Sequence, residues 1–242
     1  MLTHCPKCGH TPLPEDQALP AACPACGVIL AKVGQALPVR TRPASTLVDE
    51  EPSAWRERLL PPAKQPFDPL AFWPRVAMLS AFALWGLVLI AQDYRTGEIG
   101  ASFIHRPLLV FHEAGHVIFR LLGEWMMVLG GTLGQLIMPC ILGGALLIKN
   151  RDPFGASIGL WFLGVSLLDV APYMFDALQP QLMLLSGTTG EEGGHDWIFL
   201  FNSLGLLPQS QWIGAITHKL GALVTGLALV WGARVLWLQR PR

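Results

Sequence analysis

The residues with the clearest chemical potential are two histidines and a glutamate in the segment FHEAGHV at positions 111–117. His112 and His116 are four positions apart, so on a helix their imidazoles share one face, a turn apart. Two imidazoles placed in this way can bind one Zn²⁺ and leave positions for a third protein ligand and a water molecule. Glu113 directly follows the first histidine and can act as a general base toward that water. The spacing therefore predicts a zinc site with hydrolytic chemistry.

The segment around these three residues, from Phe103 to Leu122, is apolar apart from them and the interruptions at Arg106 and Arg120. A charged or imidazole side chain in such a segment is costly unless it has a partner, and it indicates function by default. The alternative is that these are chance polar residues in a core helix. Three of them in the spacing of zinc proteases are better explained by a bound metal.

A HExGH sequence inside an apolar helix resembles the site-2 protease family of intramembrane zinc metalloproteases and its bacterial M50-like relatives. The resemblance covers roughly residues 75–240. It implies His112 and His116 as zinc ligands and Glu113 as the catalytic base. The usual third ligand of the family is an Asp in a later transmembrane Leu-Asp-Gly motif, preceded by Asn and Pro. This chain has LDVAP at 168–172 instead, without the Gly and without the preceding Asn-x-x-Pro.

Two residues rank equally as the third zinc ligand. Asp176 shares one helical face with Asp169 and Tyr173, since the three fall at i, i+4 and i+7. Two carboxylates on a membrane helix need a shared partner, and a metal would serve. His195 lies in a Gly-rich loop at 179–196, which could fold over the site, and Asp196 could then orient its ring. The alternative for His195 is an ordinary surface histidine.

Asp169 ranks below these two candidates. It lies deeper in its apolar segment than Asp176, but it could simply form an ion pair with Arg106 or Arg120.

Four of the five cysteines form two copies of one motif, CPKCG at 5–9 and CPACG at 23–27. Four thiolates in this pattern, from Cys5, Cys8, Cys23 and Cys26, suit a tetrahedral structural Zn²⁺. A unit this small cannot hold a core without metal. The pattern predicts a zinc ribbon over residues 1–33, and the duplication disfavours a redox dithiol. Because thiolates survive best in a reducing compartment, we expect the N-terminal ribbon to be cytoplasmic.

The composition predicts a membrane protein. Of the 242 residues, 52% are hydrophobic and 14% charged, and the apolar residues are concentrated after Trp73, in runs typical of membrane spans. We predict a Pro-rich linker over 34–72, with a short helix around 54–60, and a membrane-embedded metalloprotease-like domain over 73–242. The net charge of zero gives no indication of a nucleic-acid partner.

The predicted fold is an all-α polytopic membrane protein, with about four to five transmembrane or re-entrant helices and the small N-terminal zinc ribbon. Five full crossings from a cytoplasmic N-terminus would place Lys149, Arg151 and Arg240 outside, against the positive-inside tendency. If the second apolar segment, Phe103–Leu122, were re-entrant, these residues would all lie inside. The five apolar segments are Val76–Ala91, Phe103–Leu122, Met126–Ile148, Ile158–Leu178 and Ile213–Leu238.

A Gly-rich sequence, GGTLGQ at 130–135, follows the metal segment. The family resemblance implies a Gly-rich hairpin or loop near this point, which would present a strand edge to an extended substrate. The equally weighted alternative is that these glycines only permit close helix packing.

The predicted function is a zinc-dependent intramembrane endopeptidase, with one catalytic and one structural Zn²⁺, that hydrolyses membrane-associated protein or peptide substrates. The alternative is a non-proteolytic zinc-binding scaffold or sensor, with the ribbon as a docking module for a protein partner. The presence of Glu113 favours the enzyme, because binding alone needs no base. A metal transporter fits less well, because a site of this kind holds its metal tightly.

Overall fold

The computed structural model describes residues 2–15, 17, 21–30, 55, 58–61 and 67–241. The chain divides into two compact units, residues 1–51 and 52–242. Most of the predicted linker, and three of the seven residues of the short helix predicted around 54–60, lie outside the described residues. In the described part, regular structure is helical apart from one isolated bridge between Ala22 and Ile29. The all-helical class predicted from the sequence is confirmed.

The first unit contains the two cysteine motifs, and each folds into the same tight turn. The backbone N–H of Gly9 donates to the carbonyl of Cys5 at 2.8 Å, and that of Gly27 donates to the carbonyl of Cys23 at 2.8 Å. Gly9 has a φ of 73° and Gly27 a φ of 71°, a conformation that residues with a Cβ rarely adopt. The duplicated sequence thus forms a duplicated turn, which is compatible with a small zinc-ribbon-like domain.

The second unit is built from helices, which we number α1 to α6 among the described residues. Helix α1 begins inside the segment predicted as linker, because Asp68 caps its N-terminus by accepting hydrogen bonds from Leu70 and Ala71. The helices are α1 Pro69–Ala91, α2 His105–Phe119, α3 Glu124–Ile148, α4 Pro153–Asp176, α5 Asp196–Leu204 and α6 Ser210–Gln239.

Among the described residues, four helical stretches are long and apolar enough to cross a membrane: α1, α3, α4 and Leu207–Gln239, which contains α6. This is the pattern of a multi-pass membrane protein. Helix α2, which carries the HExxH residues, has 15 residues. With the 3-10 turn Arg120–Leu122 that follows it, α2 reaches 18 residues, and this stretch is not among the four. Of the five apolar segments predicted, four are long enough to span, and the 103–122 segment fits the re-entrant alternative.

Helix α4 is the central helix of the second unit. Its residues Trp161, Val165 and Leu168 are fully buried, and α4 packs along α6 through small residues. A Cβ on Gly164 would overlap the side chain of Thr225, and a Cβ on Gly221 would lie 2.8 Å from the backbone nitrogen of Leu168. Small residues permit this close approach of membrane helices, so α4 is a rigid base for the residues at its C-terminal end.

The Gly-rich sequence at 130–135 lies inside helix α3 and not in a hairpin or loop. A Cβ on Gly115 of α2 would overlap the carbonyl of Gly130, and a Cβ on Gly134 would overlap the carbonyl of Phe111. The prediction of a substrate-binding hairpin at these residues is therefore wrong, because the glycines bring α2 and α3 into backbone contact. The alternative of close helix packing is confirmed.

Candidate metal centre

The two histidines of helix α2 lie side by side, as their spacing predicts. The ring centroids of His112 and His116 are 4.8 Å apart. One ligand atom from each of His112, Glu113 and His116 can be chosen so that all three lie within 4.8 Å of one another. His112 is 7% exposed, whereas Glu113 is exposed. One turn of helix thus brings two imidazoles and a carboxylate into a group that can hold a metal ion.

A second carboxylate reaches both imidazoles from a distant part of the chain. Asp196 Oδ2 lies 2.9 Å from His112 Nε2 and 3.3 Å from His116 Nε2. Two ligand atoms bound to one tetrahedral Zn²⁺ at about 2.0–2.1 Å are themselves about 3.3 Å apart. The two distances from Asp196 to the imidazole nitrogens are therefore close to the separation of ligands on a shared zinc ion.

The orientation of His116 is set by helix α3. Its Nδ1 lies 2.9 Å from the carbonyl oxygen of Met127, and since a carbonyl only accepts hydrogen bonds, Nδ1 carries the proton. With a metal ion bound, the lone pair of the ring would then be on Nε2, the nitrogen that faces Asp196. A backbone acceptor behind a metal-binding histidine fixes its tautomer in this way in many metal sites.

Gly131 of helix α3 provides the space beside the two imidazoles. A Cβ at this position would lie 2.5 Å from His112 Nε2 and 2.6 Å from His116 Nε2. A side chain here would occupy the volume next to the nitrogens that face Asp196. The donor atoms and this glycine together fit a small metal ion.

Asp176 and His195, the two candidates for the third ligand, contact one another. Asp176 Oδ1 accepts hydrogen bonds from the backbone N–H groups of Gln181 at 2.8 Å and Leu182 at 3.1 Å. Its Oδ2 lies 3.3 Å from His195 Nε2. His195 Nδ1 accepts from the N–H of Ile198 at 3.3 Å and so caps helix α5. Both side chains are engaged in ordering the 177–195 loop and the start of α5.

This pair also determines where Asp196 points. Tyr173 packs its ring on that of His195, with centroids 4.2 Å apart, and its hydroxyl accepts a hydrogen bond of 2.9 Å from the N–H of Asp196. With His195 at the cap position, the next residue starts the helix, and its side chain lies against α2. Asp176, Tyr173 and His195 thus position Asp196.

The surroundings of Asp196 favour the ionised form of its carboxyl. Burial raises the pKa of Asp196, but the hydrogen bonds with His112 and His116 lower it by more, so that its pKa lies below the usual value for an aspartate. A metal ligand has to be deprotonated to bind, and Asp196 meets this requirement at neutral pH.

Asp169 forms neither of the two ion pairs, with Arg106 or with Arg120, that its sequence position suggested. Its Oδ1 lies 2.8 Å from His105 Nδ1, and its Oδ2 accepts a hydrogen bond of 2.7 Å from Gln135 Nε2. Asp169 is therefore part of a second polar cluster formed by α2, α3 and α4.

A cavity of about 580 Å³ connects the two clusters. Glu113 and Asp196 line it at the metal group, and His105 and Asp169 line it at the second cluster. Apolar side chains form other parts of its wall, among them Ile99, Leu109, Val170, Leu182, Leu184 and Leu185. The cavity is large enough for several residues of an extended peptide.

The four cysteines of the first unit form the second metal-binding group. Sγ atoms of Cys5 and Cys26 are 3.7 Å apart, those of Cys8 and Cys23 are 3.8 Å apart, and all four lie within 4.8 Å of one another. Thiolates bound tetrahedrally to Zn²⁺ at about 2.3 Å are about 3.8 Å apart. The predicted cysteine cluster is present and has the dimensions of a closed zinc site.

Sequence reasoning identified His112, Glu113, His116 and the four cysteines, and the structure brings each set together. It assigned Asp196 only to the support of His195, whereas the structure places Asp196 at the imidazoles. The available signal was the dipeptide His195-Asp196 after a Gly-rich loop, in which either residue could face the metal. The chain matches no known family, no curated protein and no solved structure in the comparisons made.

Proposed function

We propose that this protein is a zinc-dependent intramembrane endopeptidase of the site-2 protease type, which cleaves membrane-associated protein substrates. One observation carries the proposal: His112, His116 and Asp196 converge beside Glu113 at the wall of a cavity. Two imidazoles, one carboxylate and an adjacent glutamate are the usual components of a hydrolytic zinc site.

His112, His116 and Asp196 would hold the zinc ion. Asp196 thus replaces Asp176 and His195 as the proposed third ligand. Three protein ligands leave one position of a tetrahedral ion for water or substrate. Bound zinc would lower the pKa of a water molecule and polarise a substrate carbonyl. As a carboxylate, Asp196 would also offset the charge of the ion in apolar surroundings, where an uncompensated cation is costly.

Glu113 would be the general base. It lies on the cavity wall one residue after His112, and its side chain is exposed rather than packed into the helical core. From this position the carboxylate can accept a proton from the attacking water and later donate it to the amine of the leaving peptide. A scaffold or sensor would need the ligands but would have no use for a base at this place.

The orientation in the membrane follows from the positive charges. Arg75 of α1 lies 3.6 Å from Asp152. The start of α1 and the α3–α4 turn, which contains Lys149 and Arg151, are therefore at the same end of the spanning helices. Four alternating spans bring Arg240, after α6, to the same end. By the positive-inside tendency this end would be cytoplasmic, and so would the residues directly before α1. The ribbon would serve as a docking module for substrate or a protein partner.

The test is zinc content together with cleavage, on the full-length protein purified in detergent. We expect two zinc ions per chain and cleavage of some members of a panel of labelled single-span membrane peptides. Glu113→Gln should keep both ions and lose about 1,000-fold or more in hydrolysis, because an amide cannot accept the proton of water. Glu124→Gln, on α3 and away from the cavity lining, is the matched control and should retain activity.

Two results would contradict the proposal. Full activity of Glu113→Gln would remove Glu113 from the reaction. A wild-type protein that carries both zinc ions and cleaves no peptide of the panel would favour the non-proteolytic scaffold or sensor.

A further inference from the structure

The cavity has a second polar cluster that the proposed hydrolytic reaction does not use. It consists of His105 on α2, Gln135 on α3 and Asp169 on α4, joined by contacts of 2.8 Å and 2.7 Å to the two oxygens of Asp169. Gln135 is 2% exposed and Asp169 8%. Ionisable side chains inside a membrane unit are costly and indicate a functional site by default.

His105 is the member of this cluster that remains accessible from the cavity. Its side chain is 33% exposed, against 5% for that of Asp169, and it lines the cavity. Its Nδ1 is occupied by Asp169, and within the described residues no hydrogen bond engages Nε2. A purely structural network would have no need of a histidine that is exposed on a cavity wall and engaged through Nδ1, whereas a binding site requires one.

The distance between this cluster and the metal group follows from helix geometry. His105 and His112 are seven residues apart on α2, which places them on one face about 10 Å apart along the axis. An extended peptide advances about 3.3 Å per residue. A chain that reacts beside Glu113 and runs along the cavity would therefore bring the side chain about three residues away to His105.

The chemistry of the subsite selects the class of side chain. Asp169 holds the proton on Nδ1, so Nε2 accepts a hydrogen bond when the ring is neutral and donates one when the ring is charged. Hydroxyl and carboxamide groups can satisfy either state, because they both donate and accept. A charged side chain would be desolvated in a cavity with apolar walls, which is costly.

We propose that His105, held by Asp169 and Gln135, is a specificity subsite that binds an uncharged polar side chain of the substrate, Ser, Thr, Asn or Gln, about three residues from the cleaved bond. This inference rests on the proposed endopeptidase function and names a feature of its substrates. Membrane spans are mostly apolar, so one polar residue at a fixed distance would distinguish a substrate from other spans.

The experiment measures binding without cleavage, on full-length Glu113→Gln in detergent. The probes are two fluorescent transmembrane peptides of Leu and Ala that differ only in a central residue, Asn in one and Leu in the other. We expect the Asn peptide to bind about 10-fold more tightly, a change typical of one buried hydrogen bond. Adding His105→Phe should reduce this preference to about 1, while His218→Phe, a histidine outside the cavity lining, should leave it unchanged.

Zinc content distinguishes a lost subsite from a lost fold. His105→Phe should keep both zinc ions, and if it does not, the smaller His105→Ala carries the same test. Equal binding of the two peptides, or a preference that persists in a zinc-loaded His105 variant, would overturn the proposal. Failure of the proposed function has a different signature, in which wild-type protein prefers the Asn peptide but cleaves neither.

Discussion

The two metal-binding groups of this protein differ in how much of the ion they would leave open. In the first unit, four thiolates lie within 4.8 Å of one another, a set that satisfies all positions of a tetrahedral zinc ion. In the second unit, two imidazoles and Asp196 supply three ligands, and a cavity of about 580 Å³ adjoins them. The first arrangement suits an ion that holds a fold, and the second suits an ion that meets a substrate.

The groups also differ in the chain length that separates their members. Cys5 and Cys26, in contact, are 21 positions apart, and each pair of cysteines sits in its own turn. His112 and Asp196, also in contact, are 84 positions apart. The closed group therefore depends on local turns, whereas the open group depends on the packing of α2, α4 and α5. Changes in that packing should affect the open group only.

The largest effect on this contrast should come from Asp196→Ala. Removing the carboxylate leaves two imidazoles. Loss of a residue that only supports a metal ligand lowers affinity by up to about 100-fold, so we expect the zinc affinity of the membrane unit to fall by more than this. Zinc content should drop from two ions per chain to one, as measured by elemental analysis after dialysis, and hydrolysis should disappear.

Asp176→Ala and His195→Ala are the comparators for that change. Both side chains position Asp196 without contacting the imidazoles, so we expect losses in zinc affinity of about 10-fold, the lower range for supporting residues. If either variant loses the ion completely while Asp196→Ala keeps it, the assignment of the third ligand is wrong.

An intermediate effect is expected from Gly131→Ala. The added Cβ would lie 2.5 Å from His112 Nε2, so the imidazole has to move. A change that disturbs the orientation of a ligand in this way costs about 10-fold in zinc affinity or activity. The matched control is Gly144→Ala on the same helix, where a Cβ meets nothing within 4 Å. Competition titrations with a zinc chelator would measure the affinities. Equal affinities of the two variants would show that Gly131 does not shape the site.

The smallest effect on hydrolysis should come from Cys5→Ser. This change should remove one zinc ion per chain, because a serine hydroxyl is a poor zinc ligand beside three thiolates. The rate at which short membrane peptides are cleaved should change by no more than about 2-fold, because the substitution is remote from the reacting groups. Cys140→Ser, an exposed cysteine on α3, should change neither quantity. A large loss of cleavage in Cys5→Ser would mean that the two groups depend on one another.

What the sequence predicted correctly is local. The His112–His116 pairing follows from the pitch of one helix, and the cysteine cluster from two copies of a five-residue motif. The membrane-length helices follow from runs of apolar residues, with α2 as the segment that is not among them.

What the sequence could not predict depends on tertiary packing. His195 and Asp196 are neighbours, and only the cap at the start of α5 decides which of them faces α2. Likewise, the partners of Asp169 are His105 of α2 and Gln135 of α3 rather than Arg106 or Arg120. The glycines of α3 fit both a hairpin and a packed helix until the contact with Gly115 is known.

The separation of 84 positions between His112 and Asp196 has a consequence for biosynthesis. A ribosome that adds about 5–20 residues per second needs on the order of ten seconds to reach the second residue from the first. During that interval α2, α3 and α4 enter the bilayer with two imidazoles and no carboxylate beside them. On the ligand set proposed above, the nascent chain is inactive until α5 emerges, so neighbouring spans in the translocation machinery are not exposed to a working peptidase.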